Sequence, residues 1–518
     1  MIYFLCITDA IRTERNQYMG NTSRRFEYVR LVSKASGEGL IATAKKMNMT
    51  KKKFGVTFRE YYQREFWKMS LTQQARESKK TDGNHNRKER AVKHIMDETG
   101  MTREEIAEKI RALNDLGLYY ITSFVYDRFE MFRLNDEEAE DFVRTLTRRQ
   151  ELIDNLRESF KKIDKEELSY DDVASELQEF EQIMNTIVPD SLIEASAEKL
   201  EPAYPGITED KPRLRKVAID MESVRSLLKF NNVEYIMFDF ISKTLPERRA
   251  FINEEERAVV LNSVNDMSQA DNLDNKYITY QYLAPYYGRD MIHISSETDF
   301  EKFESFCHEN HEFVRKLDFD SMGRGVVPYK AEGDLKQLFK SLLAESPDGF
   351  ICEGLIKAHP VISALNPDSV NTVRLITYFD GTETHVQKCF MKIGQKGSFV
   401  DNGGAGGIFA AVNDEKGFFE SNGIDEKGRR YDTHPYTGIT IEGYQLPAWE
   451  EALALGRIIS SKIPGFSYIG WDLTYTEDCK WVIVEGNSIT QFLGQQSTRN
   501  LGAKKSLLDL VGFTGDLY

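Results

Sequence analysis

Cysteine is scarce in this chain. Five residues in 518, Cys6, Cys307, Cys352, Cys389 and Cys479, lie far apart and form no CxxC pair. An odd, scattered set gives neither a disulfide framework nor a zinc knuckle, and it fits a reducing cytoplasm. Long apolar runs are missing too. No stretch reaches the roughly 18 residues that a membrane-spanning helix needs. The start, MIYFLCITDAIRTER, has only a short apolar run with no basic stretch before it. That is not the layout of a signal peptide, and it reads as a first strand or a buried helical turn. GxxxxGK[ST] is absent, as is a GxGxxG opening a helix, which excludes the P-loop and the Rossmann fingerprint. Without CxH, HExxH or triad spacing, zinc and serine chemistry have no support. His359 and His434 each precede a proline and read as structural. Prolines number only 13, and Pro189, Pro202, Pro205 and Pro212 crowd into 189–216. That stretch has no periodicity and reads as a linker.

What is present is ample material for packed cores: 41% hydrophobic and 11% aromatic residues. At this length two or three domains are expected. Net charge is −15 but uneven, because residues 1–93 carry 21 Lys/Arg against 9 Asp/Glu. A head of about +12 on a body of about −27 is either a set of solvated helix faces or a contact for an anionic partner. Lys45, Lys46, Lys51, Lys52 and Lys53 form its densest cluster. If it meets a lipid surface or an acidic glycan, salt weakens the contact.

The first half is patterned for helices. Thr102 with Glu105 forms a capping pattern, followed by Ile106, Ile110, Leu113 and Leu116 at helical spacing. A second helix starts at Asn135 with Phe142, Leu146, Leu152, Ile153, Leu156 and Phe160. A third follows Ser169 with Val173, Leu177, Phe180, Ile183 and Ile187. A faint repeat aligns Tyr120 with Tyr235 and Asn135 with Asn253, and two helix–cap–helix units alike by coincidence explain it equally well. From about 275 the period shortens to two. VNTVRLITYF, THVQKCFMKI, YIGWDLTYT and KWVIVEG read as strands separated by glycine-rich turns. The expected boundaries are a mostly helical region over 1–215, a helical segment over 216–270 and an α+β domain over 271–518.

Three local patterns carry chemistry. In FVRKLDFDSMGRGVVPYK, Gly323 and Gly325 flank Arg324 between two strands, and Lys316 ends the incoming one. The loop is either a plain hairpin turn or backbone donors for an anion with an ammonium beside them. The run Asp401-Asn402-Gly403-Gly404-Ala405-Gly406-Gly407 is either a slack loop or a set of donors for a substrate carboxylate or acyl phosphate. In 468–487 two strands flank a turn at Glu477-Asp478-Cys479. A hairpin symmetric about Asp478/Cys479 sets Asp472 opposite Glu485, with Asn487 on the same face. Opposed carboxylates repel. Either both are solvated or a hard cation such as magnesium sits between them. Flanking Trp471, Leu473, Val482 and Val484 argue against full exposure.

Taken with NKYITYQYL, GFICEGLIKAHP, FVDNGGAGGI and HPYTG, these segments resemble the ATP-grasp superfamily over about 230–518. They are most similar to the sugar-transfer-associated ATP-grasp family. The resemblance implies an α+β fold: an ATP-grasp domain of two α+β lobes clasping ATP, preceded by a mostly α-helical N-terminal region. It implies Lys276 near the α-phosphate, and Lys316 before a phosphate loop containing Gly323 and Gly325. It puts Glu353 beside the adenine and makes Arg374 the stabiliser of the transferring phosphoryl group. Asp472, Glu485 and Asn487 become magnesium ligands. Lys392 stands where relatives often carry a second arginine, keeping the charge without the fork. No acid follows Glu353 by seven residues, so no ribose ligand is assigned. Asn402, Gly403, Gly404, Gly406 and Gly407 are expected on the substrate. The cofactors implied are ATP and Mg. The implied reaction is ligation of a carboxylate to an amine through an acyl phosphate, in surface polysaccharide biosynthesis or modification. The carboxylate is a small molecule or glycan-linked, and the amine an amino acid or amino sugar. No nucleic acid is expected, and peripheral membrane contact would run through the basic N-terminus. A phosphotransferase on the same scaffold and a nucleotide-binding assembly protein are the alternatives.

Overall fold

The computed structural model describes residues 96, 100–105, 136–317, 326–346, 349–399, 401, 403–515 and 517. The basic head, the apolar start, most of the first expected helix, most of the first copy of the repeat, Gly323, Gly325 and Asn402 lie outside the described residues. Two compact units divide the chain, the first holding the described residues up to 193 and the second those from 194. Among the described residues no helix is long and apolar enough to cross a membrane.

In the first unit the Thr102–Glu105 capping box is present: Thr102 N donates to Glu105 Oε2 at 2.7 Å and Glu105 N to Thr102 Oγ1 at 3.3 Å. Helix Asp136–Asp164 buries Leu152, Ile153, Leu156 and Phe160 on one face. Helix Ala174–Ile187 buries Phe180, Met184 and Ile187. Each is the 3.6-residue stripe legible in the sequence.

The stretch 189–216 is not a linker. It contains helix Asp190–Leu200 and the start of helix Lys211–Leu228. Pro212 sits in the first turn of the latter, where its missing N–H leaves no bond unmade, and Asp210 caps that turn by accepting from Arg213 N. Proline marks a helix start here, not an interruption.

The strands of the second unit are β1 (Met291–Ile294), β2 (Glu312–Lys316), β3 (Val327–Lys330), β4 (Phe350–Gly354), β5 (Thr372–Phe379), β6 (Thr384–Ile393), β7 (Ile408–Ala411), β8 (Gly423–Asp425), β9 (Arg430–Tyr431), β10 (Tyr468–Tyr475) and β11 (Trp481–Asn487). They form a four-stranded sheet in the order β1-β4-β2-β3 and a seven-stranded sheet in the order β11-β10-β5-β6-β7-β8-β9. All named pairings are antiparallel. Helices Phe300–Glu309 and Leu335–Glu345 cover the small sheet around Phe303, Phe306, Phe313, Phe339 and Phe350.

Helix Trp449–Ser460 backs the large sheet. Gly456 lets it lie against β5, since a Cβ there would meet Leu375 Cδ2 at 2.4 Å. Trp471 Nε1 reaches Ser460 Oγ at 3.0 Å and Thr377 Oγ1 at 3.1 Å on this side. Because side chains alternate along a strand, Arg374 and Asp472, next to Leu375 and Trp471, face the opposite side. The helix thus buries one face and leaves the other for chemistry.

Candidate active site

Arg374 on β5 and Asp472 on β10 are Cα partners, and Asp472 in turn is the partner of Glu485 on β11. Lys392 on β6 lies opposite Thr372. One row of the sheet thus presents Glu485, Asp472 and Arg374 in sequence, with Lys392 one step along. Arg374 Nε donates to Asp472 Oδ1 at 2.6 Å and Nη2 to Oδ2 at 3.0 Å, while Nη1 donates to Thr490 Oγ1 at 3.1 Å. Lys392 Nζ donates to Asp472 Oδ2 at 3.0 Å and lies 3.3 Å from Asp401 Oδ1. Thr372 Oγ1 donates to Asp401 Oδ2 at 2.5 Å. Asn487 Nδ2 donates to Gly470 O and Asp472 Oδ2, both at 3.3 Å.

The cluster is buried, and its charges govern its protonation. Burial alone pushes the Asp472 carboxyl up, but the Arg374 guanidinium and the Lys392 ammonium outweigh it and hold it well below the usual carboxylate range. Burial opposes the charge on Arg374 and Lys392, and the neighbouring carboxylates raise both above their ordinary values. Asp401 goes the other way: burial pushes it up, and the single Lys392 ammonium does not compensate. Two cations thus meet one strongly ionised carboxylate and one reluctant one.

The expected opposition of Asp472 and Glu485 is present, reached by an unexpected route. The turn holds three residues, Glu477, Asp478 and Cys479, closed by Thr476 N to Lys480 O at 2.9 Å, with Cys479 at φ +57°. Near the turn the register is Tyr475↔Trp481 and Leu473↔Ile483, one residue away from the register a two-residue turn would set. A bulge at Val484 restores the offset, so Asp472↔Glu485 and Gly470↔Asn487 pair.

Oxygen donors suited to a hard cation are at hand. Glu485 is half-buried and makes no hydrogen bond or ion pair among the described residues. Asn487 uses its amide nitrogen on neighbours, leaving Oδ1 available. Asp472 differs, since both of its oxygens are engaged by cations. Among the described residues no three His, Cys, Asp or Glu side chains cluster to hold a metal by themselves. Glu485 and Asn487 offer oxygens of the kind that suits magnesium, whereas those of Asp472 are taken by cations.

In the small sheet Lys316 ends β2 with its Nζ 2.7 Å from Glu353 Oε2 on β4. Glu353 is fully buried and also meets Arg289, whose Nε donates to Oε1 at 2.6 Å. Burial pushes the Glu353 carboxyl up, and the Arg289 and Lys316 charges overcome it to hold it below its ordinary value. Lys276 is half-buried in the first turn of helix Lys276–Leu283, whose N-terminus Asn275 caps. Beyond Asp401, Gly403 stands against Glu426 and Phe409, Gly406 closes a turn on Gly403 O at 2.7 Å with φ +88°, Gly407 is buried, and Gly404 is exposed.

Sequence reasoning passed over Asp401, Thr372, Thr490 and Arg289. Asp401 had a signal, as an acid opening the glycine-rich run. Thr372, Thr490 and Arg289 had none, because only the folded register brings them in.

Two antiparallel sheets define the second unit, one with a loop between β2 and β3 after Lys316 and the other with a row of cations and carboxylates. This is an ATP-grasp fold. Residues 256–509 match the family described as sugar-transfer associated ATP-grasp. No protein of curated function matches the chain. Solved structures similar to it include the ATP-grasp ligase PsnB complexed with a phosphomimetic variant of minimal precursor, Mg and ADP, at 13% identity and TM-score 0.29, covering 49% of this chain and 65% of that one. The L-amino acid ligase from Bacillus licheniformis has 16% identity and TM-score 0.27, covering 45% and 44%. The D-alanine-D-alanine ligase from Coxiella burnetii has 9% identity and TM-score 0.28, covering 48% and 55%. The chain thus spans less than two thirds of the length of each of these proteins.

Proposed function

We propose that the chain is an ATP- and magnesium-dependent carboxylate–amine ligase acting through an acyl phosphate. The observation that supports it best is the buried Arg374–Asp472–Lys392 cluster beside the free Glu485 carboxylate. Phosphoryl transfer to a carboxylate needs fixed positive charge where oxygens gather charge, and this cluster holds two cations in place before any substrate arrives. Glu485 and Asn487, with Asp472, would hold magnesium, which would supply charge neutralisation for the nucleotide phosphates. Arg374 holds its geometry through two bonds to Asp472, so no side-chain ordering remains at the moment of transfer. Lys392 stands between Asp472 and Asp401 and orients the carboxylate of the substrate. Lys316 and Lys276 serve the nucleotide phosphates, with Gly323 and Gly325 supplying backbone donors. Glu353 is the strand position beside the base. Asn402, Gly403, Gly404, Gly406 and Gly407 form the substrate loop. The domain limits proposed are 1–215, 216–270 and 271–518. The setting proposed is cytoplasmic surface-polysaccharide biosynthesis or modification, with an amino acid or amino sugar as amine. The association of this family with sugar transfer supports the sugar connection.

The test is a product screen with ATP, magnesium, pooled amino acids and uronic acids. Free phosphate appearing with a new amide is the expected result. Phosphate retained on a hydroxyl acceptor would make the chain a phosphotransferase, and nucleotide binding without turnover would make it an assembly protein.

A further inference from the structure

Lys316 is paired within the protein. Its side chain is only 10% exposed, and its Nζ lies 2.7 Å from Glu353 Oε2. Glu353 has a side chain 1% exposed, in the middle of the small sheet's β4. For Lys316 to serve a phosphate it must share or surrender this contact. A buried carboxylate stripped of its partner is costly. On Lys316 alone, the pair would hold the lysine against the nucleotide.

A second cation changes that balance. Arg289 places Nε and Nη2 on the other oxygen, Oε1. Its remaining nitrogen, Nη1, donates to Tyr287 O and to Ile483 O, each at 2.7 Å. The guanidinium is therefore fixed from three sides, by the carboxylate, by its own turn and by the backbone of β11, and it lies 5.1 Å from the Tyr287 ring centroid. The approach to β11 depends on Gly288, which has φ +63° and where a Cβ would stand 2.6 Å from Val482 Cγ1. Lysine has a flexible stem and three rotatable donors, whereas a planar guanidinium held by four hydrogen bonds is fixed. The division of labour follows. Lys316 is the mobile partner of Glu353, and Arg289 is the permanent one.

We infer that Arg289 is a positioning residue for the nucleotide, a standing counter-ion that keeps Glu353 satisfied while Lys316 turns to a phosphate. This rests on the reading of Lys316 as a phosphate ligand. Arg289 touches no substrate itself. It sets how much of Lys316 the nucleotide can claim, and it does so from a contact with the strand that carries Glu485 two residues beyond Ile483.

The experiment is calorimetric titration of the whole chain with ADP, for wild type, Arg289→Met, Glu353→Gln and the double variant. Arg289→Met is expected to weaken ADP by about tenfold or more, since Lys316 is then the sole counter-ion of Glu353. On the Glu353→Gln background the same Arg289→Met change costs at most about threefold, because an amide does not capture the ammonium. A merely structural arginine predicts an equal loss on both backgrounds. Wild-type affinity in Arg289→Met, or an equal loss on the two backgrounds, would overturn the inference. If Arg289→Met does not fold, Arg289→Lys replaces it, with a smaller loss and the same dependence on background expected. Absence of ADP binding to the folded wild type would instead overturn the reading of Lys316 and of the proposed function.

Discussion

Arg374 and Asp472 are Cα partners on adjacent strands, joined by two hydrogen bonds of 2.6 and 3.0 Å in a fully buried setting. The carboxylate therefore anchors the clamp as well as facing the expected metal position. The two-bond geometry belongs to arginine, so charge alone does not replace it. Arg374→Ala should lower kcat by about 10²-fold or more. It should also lower the melting temperature, because Asp472 keeps only Lys392 and Asn487. Arg374→Lys should recover stability more than turnover. Steady-state kinetics with thermal melts check this, and near-normal kcat in Arg374→Ala would remove Arg374 from the chemistry.

Lys316→Ala should behave differently. Its partner is a nucleotide present in the ground state, so ATP binding weakens along with turnover. Turnover is expected to drop by about 10²-fold or more. An unchanged KM for ATP would contradict the assignment.

Glu485→Gln tests the metal. Asp472 is already neutralised by two cations, so the like-charge repulsion of about 0.2–1 kcal/mol for opposed acids is largely offset. Melting temperature without ligand should therefore hold or rise slightly. With ATP and magnesium, activity and most of the ligand-induced stabilisation should vanish. A pair that matters only for structure gives the reverse: lower stability in both conditions and normal turnover.

His434 sets a pH dependence away from the site. Its Nε2 contacts Gly394 O at 3.1 Å, directly after β6, and its Nδ1 accepts from Thr437 N at 3.4 Å. Accepting from a backbone N–H requires an unprotonated Nδ1. Burial depresses the imidazole below its ordinary value of 6.5, against the opposing bond to Gly394. A depressed folded value means that the unfolded chain binds the proton first. Stability is thus full above about pH 6.5 and falls as pH drops below it. Urea unfolding between pH 7.5 and 5 should show this slope in the wild type and a flatter one in His434→Gln. Equal slopes would exclude His434 as the source.

Much of this architecture was legible because period is a local property. The stripe of Leu152, Leu156 and Phe160 and the alternation in VNTVRLITYF each declare an element without reference to the rest of the chain. The opposition of Asp472 and Glu485 was legible too, although the route was not. A three-residue turn and the bulge at Val484 cancel, and neither leaves a mark in the residue pattern. Pro212 misled because a proline looks alike in a linker and in a helical first turn. Arg289 was invisible for a different reason. Its partners lie 64 and 194 positions away in the chain, and only the pairing of β1 with β4 and the approach of Gly288 to β11 bring them together. Thr372 and Thr490 are of the same kind.

The bulge at Val484 separates the β10–β11 hairpin into two stretches. Beyond it, toward Glu477, Asp478 and Cys479, the tip is exposed. The tip is consequently a splice point. A foreign peptide or a reporter domain inserted between Asp478 and Cys479 would enter through an exposed turn, and the acids would keep their places.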